Sequence, residues 1–171
     1  MKEEKIRIVR GDITKLDVDV IVNAANQAMC GGGGVDGAIH RAAGSELLKE
    51  CKALGGCKTG HVKITSGYDL MANYIIHAVG PVWYGGNKGE EELLKSCYKE
   101  SLKLASEYNI KSIAFPAIST GAYKFPIENA CRIAVESILD YLDTNDDLER
   151  VFFVCFDTKM EKQYKKILKL N

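Results

Sequence analysis

Proline is scarce in this chain, three residues in 171, and there is one tryptophan among aromatics that make up 8 %. So few prolines leave no semi-rigid extended linker. An excess of one charge is also missing: 23 Lys and Arg offset 23 Asp and Glu, for a formal charge of zero. That balance argues against a dedicated binder of nucleic acid or membrane surface, since both need basic excess to attract phosphate. No apolar run approaches the ~20 residues that cross a bilayer. No apolar stretch of the kind found in secretory signals follows Met1-Lys2-Glu3-Glu4-Lys5, so a cytoplasmic location is expected. The six cysteines contain no C-x-x-C pair, and His40, His61 and His77 extend no zinc-ligand spacing, so no metal is expected. Cys97, Cys131 and Cys155 sit inside apolar periodic segments and read as reduced, structural thiols. Cys30, beside a glycine run, is the one to watch for reactivity.

What is present is ordinary globular material, 46 % hydrophobic and 27 % charged. A chain of this length can bury about 70 % of its unfolded surface without disulfides or metal. Residues 1–171 are therefore expected to form a single domain. Short β-branched runs read as strands at Ile6 to Val9, Val18 to Val22, His61 to Ser66, Tyr74 to Val79, Ser112 to Phe115 and Val151 to Cys155. Helical patterns lie between them: Val35 to Ala43, with Glu46 to Leu54 extending it, Glu90 to Tyr108, Pro126 to about Leu142, and Met160 to Leu170. Glu90, Glu91 and Glu92 suit the positive end of a helix dipole. This alternation predicts an α/β fold with helices on both faces of a largely parallel sheet, and ligands at the carboxyl ends of its strands.

Three loops at such ends carry the chemistry. The first runs from Asn23 through Asn26 and Cys30 into Gly31-Gly32-Gly33-Gly34-Val35-Asp36-Gly37. Four successive glycines are entropically costly, and ahead of a helix they offer bare N–H groups and a helix N-terminus to an anion. Gly32, Gly34 and Gly37 formally match G-x-G-x-x-G, but eight residues separate Val22 from Gly31 where a dinucleotide fingerprint has none. The second loop is Pro116 to Tyr123. Ala117-Ile118-Ser119-Thr120-Gly121 is similar to a serine-hydrolase elbow with Ala in the first Gly position, yet it reads better as a small-residue loop that contacts a phosphate. The third, Arg10-Gly11-Asp12-Ile13-Thr14, holds a carboxylate that could accept from an adenine amino group or could cap a turn.

Together the loops resemble the MacroD-type branch of the macrodomain family, from Ile6 to about Leu168. The likeness rests on Gly11-Asp12-Ile13-Thr14, on Val22-Asn23-Ala24-Ala25-Asn26, on the unbroken block from Gly32 to Gly44, and on Ser119-Thr120-Gly121. The fold it implies is a three-layer α/β/α sandwich around a central mixed, largely parallel sheet. It also implies a cleft for ADP-ribose. Asp12 and the amide of Ile13 would meet adenine, with Phe156 stacking on it, although a core Phe at a strand end is an equal alternative. The amides of Gly33, Gly34 and Val35 and the loop of Ser119, Thr120, Gly121, Ala122 and Tyr123 would hold the pyrophosphate. Asn26 would hold the distal ribose, with Asn23 shaping the loop. Tyr123 and Lys124 stand where the family often has Phe and Gly.

By the same resemblance Asp36, with Asn26, would orient a water for hydrolysis at the distal ribose; taken alone, an Asp before a helix is an N-cap. His40 and Arg41 follow one turn on, His40 as a supporting group or an ordinary helix histidine. The expected function is a hydrolase that removes mono-ADP-ribose from Glu and Asp side chains and deacetylates O-acetyl-ADP-ribose. No cofactor is expected. The expected partners are ADP-ribose or O-acetyl-ADP-ribose and mono-ADP-ribosylated proteins, with nucleic acid only as ends carrying ADP-ribose, no membrane, and a monomeric chain. The rivals are a non-catalytic ADP-ribose reader and a nicotinamide-dependent oxidoreductase.

Overall fold

The computed structural model describes residues 2–170. Six strands form one sheet: β1 (Ile6–Arg10), β2 (Val20–Ala25), β3 (Val62–Ser66), β4 (Tyr74–Val79), β5 (Ser112–Phe115) and β6 (Arg150–Cys155). Their order across the sheet is β1-β6-β5-β2-β4-β3. Every pairing is parallel except β3 with β4, which is antiparallel as expected for strands joined by a short turn. Five α-helices accompany them among the described residues: α1 (Gly34–Ala43), α2 (Ser45–Leu54), α3 (Glu90–Glu107), α4 (Ile127–Thr144) and α5 (Thr158–Ile167). The helical pattern through Glu46 is broken at Gly44, whose φ of +93° ends α1 and starts α2. Few residues other than glycine accept that backbone angle. No described helix is long and apolar enough to cross a membrane.

Alternation along the strands sorts side chains into two cores. Val20 and Val22 of β2 and Ile76 and Ala78 of β4 face α3, α4 and α5, together with Phe115, Phe153 and Cys155. Ile21 and Ala25 of β2 and Ile75 and Val79 of β4 face α1 and α2, where they meet Ile39, Leu47 and Cys51. Inner strands covered on both faces must be apolar almost without break, and Val20, Ile21, Val22, Ile113, Ala114 and Phe115 are all at most 1 % exposed. The period of two also decides where polar strand residues go. Asn23 shares the face of Ile21 and Ala25, and His77 that of Ile75 and Val79, so both point beneath α1 and α2.

Because β1, β6, β5, β2 and β4 run parallel, the loops that follow them gather along one edge of the sheet. The connection from β2 to β4 passes over one face through α1 and α2, and that from β4 to β5 over the other through α3. Such a reversal opens a crevice beside β2, where this architecture places ligands.

Candidate active site

The loop after β2 runs from Asn26 to Gly33 and is shaped by its own side chains. Asn26 Oδ1 accepts from the Met29 amide at 2.9 Å, and its Nδ2 donates to the Gly31 carbonyl at 3.1 Å. Met29 is buried at a φ of +57°, which anchors the loop in the α1/α2 core. Asn26 is only half-buried, and its second N–H and second lone pair remain for a ligand hydroxyl. Gly37 lets the loop lie against α1, since a Cβ there would stand 2.4 Å from the Gly32 carbonyl oxygen. Helix α1 starts with Gly33 as its capping residue, and the first intrahelical bond runs from the Gly37 N–H to the Gly33 carbonyl. The amides of Gly34, Val35 and Asp36 precede that bond and are left without an intrahelical acceptor, a donor arrangement that suits an anion. A strand turning directly into a glycine-started helix, the dinucleotide geometry, is not what forms here.

Asp36 lies inside the first turn of α1 and does not cap it, so the capping reading of this residue is overturned. Its side chain is buried and turned inward. Oδ1 accepts from Asn23 Nδ2 at 2.8 Å and lies 3.5 Å from His40 Nε2, one turn along the helix. A Cβ on Gly32 would stand 3.1 Å from Asp36 Oδ2 and 3.5 Å from Asn26 Nδ2, so these two groups converge on the bare side of Gly32.

Asn23 does not shape the loop. It is fully buried behind Asp36, and its Nδ2 also faces His77 Nδ1 at 3.2 Å. Its Oδ1 has no hydrogen-bond partner among the described residues, a cost of about 1–3 kcal/mol for a buried polar atom. His77 is itself fully buried, with Nε2 2.9 Å from Thr65 Oγ1 and 3.9 Å from Cys51 Sγ. Burial, with the nearby His40 adding to it, pushes this imidazole down to about 3.

Across the crevice, the loop after β5 closes on itself. The Thr120 amide donates to the Ala117 carbonyl at 3.3 Å, Lys124 to Gly121 at 3.0 Å, and Phe125 to Ser119 at 2.9 Å. The N–H groups of Gly121, Ala122 and Tyr123 take no part in those bonds, and Gly121 and Ala122 are exposed. Ser119 holds a φ of +69°, and its Oγ has no partner among the described residues. A serine nucleophile would need a histidine at hydrogen-bond distance, so the elbow resemblance does not extend to geometry. Lys124 sits at a φ of +61°, which explains why glycine suits that position.

A fourth loop, absent from the sequence reading, follows β4. Trp83 donates its amide to the Tyr123 carbonyl at 2.8 Å and packs on Phe125 with ring centroids 4.8 Å apart. Glu90, buried at the start of α3, accepts from the amides of Tyr84, Gly86 and Lys88 at 2.9, 2.9 and 2.6 Å. Burial pushes this carboxyl up, but the backbone donors outweigh it and bring it down to about 2.

At the other end of the edge, Asp12 Oδ1 accepts from the Thr14 amide at 2.9 Å and from Thr14 Oγ1 at 2.6 Å. These bonds, the hydroxyl's first, hold its carboxyl below the usual range. The capping role is therefore real and falls on one oxygen of an exposed residue, leaving Oδ2 for an amino donor. Ile13 buries its side chain in the α1/α2 core, so only its backbone is available. Phe156 is 91 % exposed just past β6, which rules out the core reading. A surface cavity of about 540 Å³ lined by Lys5, Arg7, Asp146 and Arg150 lies near the start of β6, away from all these loops.

The buried cysteines are free thiols, and burial pushes Cys97, Cys131 and Cys155 up to about 12, which keeps them protonated and inert. Cys30 is the exposed one, with Sγ 3.3 Å from the Ala28 carbonyl.

A family model described as Macro domain matches residues 22–134. The chain belongs to the macrodomain family. It is 62 % identical over 165 residues to a macro domain-containing protein of Methanosarcina mazei, covering 96 % of this chain and 88 % of that one. It is 53 % identical to a Klebsiella pneumoniae protein named O-acetyl-ADP-ribose deacetylase, over 94 % of each. It is 56 % identical to a human protein named ADP-ribose glycohydrolase MACROD2, over 95 % of this chain and 39 % of that protein. Among solved structures, a mutant Oceanobacillus iheyensis macrodomain with ADPR aligns with a TM-score of 0.91 and 46 % identity, over 96 % of this chain and 91 % of that one. A Trypanosoma brucei macrodomain in complex with ADP-ribose aligns with a TM-score of 0.90 and 43 % identity, over 95 % of this chain and 68 % of that one. The three-layer α/β/α architecture around a mixed sheet is the fold these structures share with it.

Proposed function

We propose that this chain is a hydrolase of esters on the distal ribose of ADP-ribose. It would remove mono-ADP-ribose from Glu and Asp side chains of proteins and deacetylate O-acetyl-ADP-ribose. The observation that carries the reading is the placement of Asp36: a buried carboxylate bonded at Oδ1 to Asn23 and released from any capping duty. Its other oxygen converges with Asn26 beside two loops whose free amides suit a pyrophosphate. In this reading Asp36 Oδ2 accepts a hydrogen bond from a water and turns its lone pair toward the ester, while Asn26 holds the ribose hydroxyls. Asp12 and Phe156 receive adenine, which sets the register of the ligand along the crevice. The names of the Klebsiella and human relatives and the ligands of the solved neighbours support the same substrate class.

The test is release of free ADP-ribose from a Glu-modified protein, resolved by chromatography. Asp36→Ala should lower kcat by ~10²–10⁴-fold, the usual contribution of a placed general base, and leave ADP-ribose affinity largely intact. Full turnover by Asp36→Ala would remove its catalytic role. No release by either protein, with ADP-ribose still bound, would make the chain a reader.

A further inference from the structure

Asp36 is backed by a chain of hydrogen bonds that reads in only one direction. Asn23 Nδ2 carries two hydrogens, and its two contacts are Asp36 Oδ1 at 2.8 Å and His77 Nδ1 at 3.2 Å. Both partners must accept, so the proton of a neutral His77 sits on Nε2 and goes to Thr65 Oγ1 at 2.9 Å. Thr65 then gives its own proton to the Ser66 carbonyl at 3.1 Å. The donors and acceptors fit from Ser66 back to Asp36 with one exception, the orphaned Asn23 Oδ1. Turning the Asn23 amide over would aim that oxygen at the carboxylate, which opposes it; Asp36 thus fixes the amide orientation and, through it, the His77 tautomer.

The groups around His77 come from four elements. Asn23 faces it from β2, where the two are register partners, and Thr65 from β3. Cys51 approaches from α2, and Asp36 and His40 stand beyond Asn23 on α1. The same-face neighbours on its strand, Ile75 and Val79, are apolar core residues. An apolar side chain at position 77 would fit that pattern and would leave Asn23 without its second acceptor.

We infer that His77 is a positioning residue for Asp36: its Nδ1 lone pair steadies the Asn23 amide, which in turn locks Asp36 Oδ1 and leaves Oδ2 facing the crevice. The inference rests on the reading of Asp36 as the water-orienting group. It assigns work to a histidine that touches neither ligand nor water.

The experiment is a double-mutant cycle on kcat, with ADP-ribose affinity measured alongside. His77→Phe keeps a planar ring and removes the acceptor; kcat should fall about tenfold or more while the Kd for ADP-ribose stays within about twofold. His77→Asn places an acceptor oxygen near the lost Nδ1 and should recover most of that kcat. In an Asp36→Ala background His77→Phe should add no further loss, because the two act through one carboxylate. Full kcat in His77→Phe, a loss that His77→Asn does not recover, or a loss that adds to that of Asp36→Ala would each overturn the inference. If His77→Phe does not fold, Thr65→Val takes its place: it keeps the volume, removes the acceptor that holds the Nε2 proton, and should lower kcat only when Asp36 is present. Unchanged kcat in Thr65→Val would then overturn it. Turnover that survives Asp36→Ala defeats the parent reading instead, so the two failures are told apart.

Discussion

The two faces of the sheet do different work. Toward α3, α4 and α5 the core is large and mostly apolar, with Phe115, Phe153, Tyr98 and Tyr164 packed as rings and only the helix serines Ser101 and Ser137 as small buried polar groups; Phe153 and Tyr164 stack with centroids 4.6 Å apart. Toward α1 and α2 the core is smaller, and polar residues run through it: Asn23, His77 and Thr65 in the strands, with Asp36 above them. Buried polar groups add little net stability even when bonded, and Asn23 Oδ1, like Ser101 Oγ on the other face, has no partner among the described residues. The larger face holds the fold, and the smaller face spends part of that stability on holding Asp36 Oδ1 through Asn23. Proteins commonly break local packing rules where function requires it.

This division can be broken experimentally. Asp36→Ala, with its expected loss of ~10²–10⁴-fold in kcat, should lower stability by no more than the roughly 1–3 kcal/mol of the buried Asn23 N–H it leaves unpaired. Phe153→Ala is the converse. Phe153 is fully buried, and its truncation should cost about 3–5 kcal/mol in urea unfolding with kcat per folded molecule retained. A large fall in kcat there would mean the faces are not separable.

Acid sharpens the comparison. His77 titrates near 6.5 when unfolded and near 3 when folded, so between those values the unfolded chain takes up a proton that the native chain refuses. The full contribution is present above pH 6.5 and is lost as pH falls toward 3, by about 2 kcal/mol between pH 6.5 and pH 5. Glu90, held down near 2 by its backbone donors, adds to the loss only below its ordinary value of 4.5. Urea midpoints at pH 7 and pH 5 should therefore separate more for the wild type than for His77→Asn. An equal separation would mean that His77 is not the buried neutral group described.

Effects at the rim are smaller. Phe156 is almost fully exposed, and Phe156→Ala should weaken ADP-ribose binding by ~1–3 kcal/mol, the worth of a base stack, with no change in thermal midpoint. Calorimetry that showed unchanged affinity would take Phe156 out of the site. Smallest of all, Lys124→Gly relieves a left-handed backbone angle and should raise stability by no more than about 1 kcal/mol. A destabilised variant would point to a contact made by the lysine side chain.

Periodicity and punctuation read the elements closely because strands buried on both faces must be apolar and helix termini need glycine, proline or acids. All six strands fall where β-branched runs stand, two with both ends unmoved and the others with ends moved by at most three residues, and Gly33, Gly44 and Pro126 sit at helix boundaries. The loop positions were legible for a similar reason: the four-glycine run falls where β2 gives way to α1, and Gly33 stands at the helix start. Asn23 and Asp36 were named, but their roles were not. A capping position and an inward-turned carboxylate differ by a turn of helix, and one-dimensional spacing does not separate them. His77 could have been flagged as a polar residue in an otherwise apolar run, since a buried histidine needs partners. The partners themselves lie 54 and 12 residues away.

What the sequence determined by itself is therefore the alternating architecture, the edge on which the loops collect and the bare-backbone makeup of the glycine loop, because each follows from local pattern and strand parity. The tertiary structure alone decided that Asn23, His77 and Thr65 line up beneath Asp36, that Trp83 braces the loop of Tyr123 while Glu90 holds the loop that carries Trp83, and that Phe156 stands clear of the core. Those outcomes depend on register between strands and on which helix covers which face. Both are set by packing between segments far apart in the chain.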